Sequence, residues 1–583
     1  MIKARIAIGS IETTPLSAGR IFLLIGFILF LSACSETEQQ APESSPDYDL
    51  VILNGMVYDG SGNPPVMTDV AVTGETIAAI GDFTEEDGAL VVNAQGKAVA
   101  PGFINMLSWA PEPLLHDGRS QGDIRQGVTL EVFGEGTSYG PWNDAMKTRD
   151  LANQTDITYD IDWTTLGEFM DSLVTRGIST NIASFVGATT IRVHELGYEN
   201  RAPSPEELQR MQDLVREAMR EGALGVGSSL IYAPAYYAST DELVALMQAA
   251  AEYGGMYISH LRSEGNRLLE AIDELITIAE ASGAPAEIYH FKQSGERNWH
   301  KFDDAVAMIE AARAEGIRIT TNMYNYTAGS TGLDAAMPPW VQEGGYQDWA
   351  ERIQDPEIRD QVKAEMLETD TEWSNLMGAA GPEGTLLVGF RNPDLRGYLG
   401  KTLAEVAEER GTDAQDTAMD LVIEDGSRVQ VVYFLMSEDN VKKGIALPWM
   451  SFGSDARSMA PEGVFTLSST HPRAYGNVAR LLGRYVRDEQ VISLQEAIHK
   501  LTFMPATHLG LKNRGLLAPG YFADVVVFDP DTIIDHATYD EPHQFATGVS
   551  EVVVNGTIVL QGGEHTGASP GQVVRGPGWT GWN

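Results

Sequence analysis

The chain has 583 residues, 43% of them apolar, too long for one small domain and long enough for a barrel-sized core with an accessory unit. Asp plus Glu outnumber Lys plus Arg by 82 to 40, a formal net charge of -42, which argues against nucleic acid or an anionic bilayer surface as a partner. An anionic substrate would need a local cluster of basic side chains.

At the N-terminus Lys3, Arg5 and Arg20 precede IFLLIGFILFL, residues 21–31. Such a run suits the hydrophobic region of a signal peptide and is too short to span a bilayer, so residues 1–33 are expected to be a leader. It ends in Leu31-Ser32-Ala33-Cys34, and Cys34 is the only cysteine. A lone cysteine is ordinarily an inert buried thiol, but in this context the four residues resemble a bacterial lipobox, in which the cysteine is acylated and becomes the first residue. Two or three acyl chains give stable anchoring. Ser35, in place of Asp, then implies the outer membrane of a Gram-negative bacterium, facing the periplasm. SETEQQAPESSPD, 35–47, is polar and contains Pro, so residues 34–48 read as a flexible tether.

From residue 49 short alternating runs separated by Gly-containing turns predict β-strands: YDLVILNGMVYDG, DVAVTGETIAAIG and ALVVNAQGKAVAPG. A matching set, GYFADVVVFDP and EVVVNGTIVLQGG, lies near the C-terminus. Residues 49–100 and 512–575 are therefore expected to form one small β-sandwich domain. Between them the texture alternates: helical periodicity at 240–254 leads into MYISH, at 267–283 into AEIYH, and at 301–316 into IRITTN. Regular βα alternation over 101–511 predicts an α/β fold, a (β/α)8 TIM-like barrel, with chemistry at the strand C-terminal ends. Residues 331–382 are too long for a βα loop and predict a lid insertion.

Chemistry-bearing residues collect at those predicted strand ends. His260 closes MYISH and His290 closes AEIYH. One such histidine is commonly structural, but two on successive strands suit a shared metal, and a catalytic zinc takes three protein ligands and leaves a position for water. Glu135, between two glycines in GVTLEVFGEG, is the best third ligand, with Glu131 as the weaker alternative. Asp455, in SFGSDARS, reads either as a helix N-cap or as a carboxylate that relays protons beside a metal.

The stretches VILNGMVYDGSG, APGFIN, GALGVGSSLIYAPAYYAST, MYISHLRSEG, NMYNYTAGST, THPRAYGNVARLLGRYVR and LGLKNRGLLAPGYFADVVVFDP resemble the D-aminoacylase (N-acyl-D-amino-acid deacylase) family of the amidohydrolase superfamily over about residues 48–576. The resemblance implies zinc on His260 and His290, an acid/base role for Asp455, and recognition of a substrate carboxylate by Lys292 and Arg473. It also brings Tyr232, Tyr324 and Tyr326 to the site. Two departures stand out. The metal-binding cysteine expected after GVT is absent, with Gly136 in its place and Glu135 one residue earlier. In PGFINMLSW, Leu107 and Trp109 occupy the His-x-His positions that hold a second metal in binuclear relatives, and neither binds zinc.

The expectation is a hydrolase of N-acyl-D-amino acids or peptide-like amides with one Zn2+ per chain, in which the metal activates water and polarises the carbonyl. Leu107 and Trp109 would line an apolar wall near the acyl group. The alternatives are an inactive lipoprotein that binds peptides or wall fragments, and a dipeptidase or cyclic amidase of the same superfamily.

Overall fold

The computed structural model describes residues 46–582; the expected leader, Cys34 and nearly all of the tether lie outside the described residues. Among the described residues no helix is long and apolar enough to cross a membrane.

Strands from both ends of the chain pair into one nine-stranded sheet. They are Tyr48–Val57, Val66–Thr73, Thr76–Gly81, Gly88–Asn93 and Ala98–Pro101 from the first part, and Val525–Phe528, Val549–Val554, Thr557–Gln561 and Glu564–His565 from the last. The two sets join where Val525–Phe528 runs antiparallel to Ala98–Pro101. Side chains alternate across a strand, and here both faces are buried. Val525 and Val527 enter the small domain's core with Leu50, Ile52 and Val72, while Val526 and Phe528 pack into the main core around the barrel.

The barrel strands are β1 (Phe103–Asn105), β2 (Val128–Phe133), β3 (Asn181–Ser184, continued by Val186–Gly187), β4 (Gly225–Ser229), β5 (Met256–His260), β6 (Ala286–Ile288), β7 (Ile319–Met323) and β8 (Met450–Phe452). Each pairs in parallel with the next. Between β8 and β1 the ring is closed by the Met106 N–H donating to the Phe452 carbonyl at 3.1 Å and by a bridge of Ser108 to Ala456. The interior is filled by Ile104, Leu107, Leu130, Val132, Phe185, Ile258 and Tyr289, joined by Ala506 and Leu509.

Two expected boundaries move. The insertion anticipated at 331–382 extends well beyond it, because Ala328–Gly332, Thr385–Gly389 and Gln430–Phe434 form a separate antiparallel sheet between β7 and β8. TLLVG and QVVYF thus pair within the insertion instead of joining the barrel. The end of the segment assigned to the β domain runs beside β3, where the Val574 N–H donates to the Ile182 carbonyl at 2.8 Å.

One buried carboxylate links the barrel wall to its mouth. Glu287, in β6, accepts hydrogen bonds from the Thr320 hydroxyl and the Asn322 amide at 2.7 Å each, and the Asn322 carbonyl oxygen accepts from the His290 N–H at 2.9 Å. Burial raises Glu287 from 4.5 to about 7, although those two donors oppose the shift. The folded state therefore keeps a proton that the unfolded chain has lost, so this group's contribution to stability falls as pH rises from about 4.5 to about 7. We expect E287Q to be more favourable relative to wild type at about pH 8 than at about pH 5; urea unfolding at the two pH values measures the difference.

Candidate active site

The site is built around Glu135, which backbone geometry forces into the barrel mouth. Gly134 and Gly136 hold φ of 106° and 68°. A Cβ on Gly134 would sit 2.4 Å from the Phe185 carbonyl oxygen, and one on Gly136 would sit 2.9 Å from the Ser229 nitrogen. Only glycine turns the chain so tightly past β3 and β4, and the residue between is thrown inward. Glu135 Oε1 lies 3.1 Å from His260 Nδ1 and 2.8 Å from His290 Nε2. One ligand atom from each of the three side chains falls within 4.8 Å of the others, and all three residues are buried.

His260 is the last residue of β5. His290 lies two residues beyond β6, with a left-handed φ of 35° that its hydrogen bond to Asn322 helps to hold. Glu264, which sequence reasoning passed over, completes this side: one oxygen is 3.0 Å from His290 Nδ1, and the other is 3.6 Å from His260 Nε2. It stands four residues after His260 in ISHLRSEG, and an acid at that spacing was the available signal. An imidazole that ligates through one nitrogen needs its other nitrogen oriented by such a group.

Burial disfavours a negative charge on Glu135 and Glu264, yet their cationic surroundings hold both well below the usual carboxylate range. Burial and Lys292 disfavour a proton on His290, but Glu264 and Glu135 raise it to about 9. The pocket is thus arranged to stabilise positive charge between its carboxylates.

Lys292 lines the same cavity, but its ammonium is engaged inside the protein. It donates to Glu264 Oε1 and to the His290 carbonyl at 3.1 Å, and lies 2.7 Å from His290 Nδ1. Any contact of this ammonium with a substrate carboxylate would be shared with its buried ion pair to Glu264.

Asp455 follows β8 and also has a left-handed φ, 49°. Its N–H donates to the Leu107 carbonyl at 2.9 Å, and its Oδ2 is 2.9 Å from Arg473 Nη1. Burial raises Asp455 above the ordinary carboxylate range; Arg473 opposes this and Glu135 adds to it. Arg473 stacks 4.3 Å from the Tyr324 ring centroid. Its Nε, the Tyr324 hydroxyl and His260 Nε2 are buried without a hydrogen-bond partner.

Several expectations need correction. Tyr326 does not line the cavity; its hydroxyl points to Asp535 and its ring lies under Arg480. Tyr232 does line it, with its hydroxyl donating to Thr331 Oγ1 at 2.8 Å. Glu131 is enclosed by hydroxyl donors from Ser108, Ser120 and Thr180, so it does not reach the histidines. Leu107 is not a wall of the cavity, because its side chain belongs to the barrel interior. Trp109 does line the cavity, but it presents a polar edge: its indole N–H lies 3.0 Å from both Glu135 Oε2 and Asp455 Oδ1.

These residues open on a cavity of about 780 Å³, roofed by Ser330, Val388, Phe390, Arg391 and Gln430 of the insertion. We expect E264A to leave Lys292 as an uncompensated buried charge and His290 without its orienting acceptor. Urea unfolding should show a loss of about 3 kcal/mol or more, and chelator competition a metal affinity weaker by about 10-fold to 100-fold.

The amidohydrolase family model matches residues 180–560. D-aminoacylase from Alcaligenes xylosoxydans xylosoxydans is 32% identical over 531 residues, covering 91% of this chain and 98% of its own. The crystal structure of N-acyl-D-glutamate deacylase from Bordetella bronchiseptica, in complex with zinc and a phosphonate inhibitor, superposes with a TM-score of 0.74 at 29% identity, over 91% of this chain and 100% of that one. A D-aminoacylase structure at 30% identity and the same TM-score, with the same coverage of both chains, has a binuclear metal centre described by one-metal activation and second-metal attenuation. Agreement of this extent in sequence and fold, over nearly the full length of its relatives, shows that the chain belongs to the D-aminoacylase branch of the amidohydrolase family, whose members hydrolyse amide C–N bonds.

Proposed function

We propose that the protein hydrolyses N-acyl-D-amino acids at a single zinc ion held by Glu135, His260 and His290. The observation that carries this reading is the convergence of one carboxylate oxygen and two imidazole nitrogens at the barrel mouth. Ligands about 2.0–2.1 Å from a tetrahedral zinc lie about 3.3 Å from one another, and Glu135 Oε1 is 3.1 and 2.8 Å from the two nitrogens. Carboxylate oxygen is a competent zinc ligand, so Glu135 takes the part of the absent family cysteine. When bound, zinc supplies a Lewis acid that polarises the amide carbonyl and makes water more acidic.

The remaining steps fall to the protein's own groups. Asp455, raised in basicity by burial, accepts the proton of the attacking water and passes it to the departing amine nitrogen, so that one amide and one water give a carboxylic acid and an amine. Arg473 and Tyr324 offer the substrate carboxylate a buried Nε–H and a hydroxyl that have no protein partner. Relatives named for N-acyl-D-glutamate and N-acyl-D-aspartate deacylation, at 30% and 31% identity, support acylated D-amino acids as the substrate class. Anchoring at the periplasmic face of the outer membrane through acylated Cys34 is supported by Leu31-Ser32-Ala33-Cys34 alone.

The expected outcome is about one zinc per chain by atomic emission and hydrolysis of at least one member of an N-acetyl-D-amino acid panel. H260A should retain far less zinc and lose at least about a hundredfold in activity. Zinc-free wild-type protein inert across the panel would leave only a binding role. For the anchor, labelled palmitate should enter the wild type and not C34S; equal labelling of both removes it.

A further inference from the structure

Two carboxylates facing one point ordinarily draw a cation, because like charges repel and the cost grows as water is excluded. Glu135 and Asp455 face such a point, and what stands there is the indole nitrogen of Trp109, 3.0 Å from an oxygen of each. The division of labour is complete. Glu135 gives Oε1 to the two histidines and Oε2 to Trp109; Asp455 gives Oδ1 to Trp109 and Oδ2 to Arg473.

The backbone holds this arrangement from both sides. The Trp109 N–H donates to the Ala456 carbonyl at 2.9 Å, and the Asp455 N–H donates to the Leu107 carbonyl at 2.9 Å. One residue away from Trp109, the Ser108 hydroxyl is fixed on Glu131 at 2.6 Å. The backbone on both sides of the ring is thus held by its own strand and by the segment that carries Asp455, while the residue itself remains 38% exposed.

We propose that Trp109 is a positioning residue whose indole N–H takes the place of a second cation: it fixes Asp455 beside Glu135 and limits the centre to one metal ion. An indole N–H is a single neutral donor. It neutralises neither carboxylate, and so leaves Asp455 free to accept a proton, whereas a cation on the same two oxygens would oppose that. The inference rests on the reading of Glu135, His260 and His290 as the zinc ligands.

The test uses W109F, which keeps an aromatic ring and removes the N–H, and W109H, which is smaller and offers a ligating nitrogen. Full-length wild type and both variants are stripped with chelator, incubated with excess zinc, gel filtered and analysed for zinc per chain. Thermal unfolding checks that each is folded, and kcat and KM are taken on the best N-acetyl-D-amino acid of the panel. The expected result is one zinc in wild type and a second equivalent in W109H. In W109F, kcat should fall by about tenfold or more, the scale of losing a hydrogen bond to a charged group, with KM within about twofold. A ring that served only as a packing wall would leave W109F unaffected. Wild-type protein that holds one zinc, with W109F matching its kcat and W109H taking up no more metal, overturns the role of Trp109 alone. Wild-type protein that holds no zinc overturns both this inference and the metal reading beneath it.

Discussion

The structure is organised by the demand of one buried anion. A carboxylate moved out of water is unfavourable unless charge and hydrogen bonds surround it, and Glu135 is buried at the mouth of a barrel whose interior is largely apolar. Two histidines approach one of its oxygens and an indole N–H the other. Glu264 and Lys292 extend the same network, with Glu264 3.0 Å from His290 Nδ1 and Lys292 paired to Glu264, so that each buried charge has a partner. Each neighbour answers the charge of the one before it.

Closure of the barrel makes this arrangement possible. β1 and β8 are far apart in sequence, yet their extensions are laced by backbone hydrogen bonds between Leu107 and Asp455 and between Trp109 and Ala456. The lacing continues in side chains, as Asn105 donates to Ser454 Oγ at 2.8 Å and to Asp123 at 2.9 Å. Trp109 and Asp455 therefore meet as a consequence of ring closure, and the polarity of the tryptophan becomes as relevant as its bulk. At β6 and β7, Glu287 and Asn322 do similar work from inside the wall, holding the unusual backbone of His290.

The insertion between β7 and β8 contributes the other half of the cavity. In a chain of net charge -42 the cavity is nevertheless lined by Lys292, Arg391, Arg428, Arg457 and Arg473. Most of these have acidic neighbours, Glu264 for Lys292, Asp334 for Arg428, Glu112 for Arg457 and Asp455 for Arg473. The same lining carries Glu112, Glu135, Asp156, Glu264, Asp334 and Asp455, so the cavity is mixed in charge, with acids and bases interleaved.

Local pattern was enough for much of this. Period-two runs and βα alternation reveal the two fold elements, since each reports which face of a strand or helix is buried. Glycines on either side of Glu135, and histidines at or near strand ends, mark a site because their roles depend on neighbours in sequence. What the sequence did not show are contacts made by closure: the indole of Trp109 between Glu135 and Asp455, Glu264 behind both histidines, and the diversion of Tyr326 to Asp535. Position along the chain tells which end of a strand a side chain occupies, but not which partner is within 3 Å of it. The sequence by itself determined the barrel, the β domain and the residues able to ligate a metal; tertiary structure decided which polar atoms meet, because hydrogen-bond partners at a barrel mouth come from strands that only closure brings together.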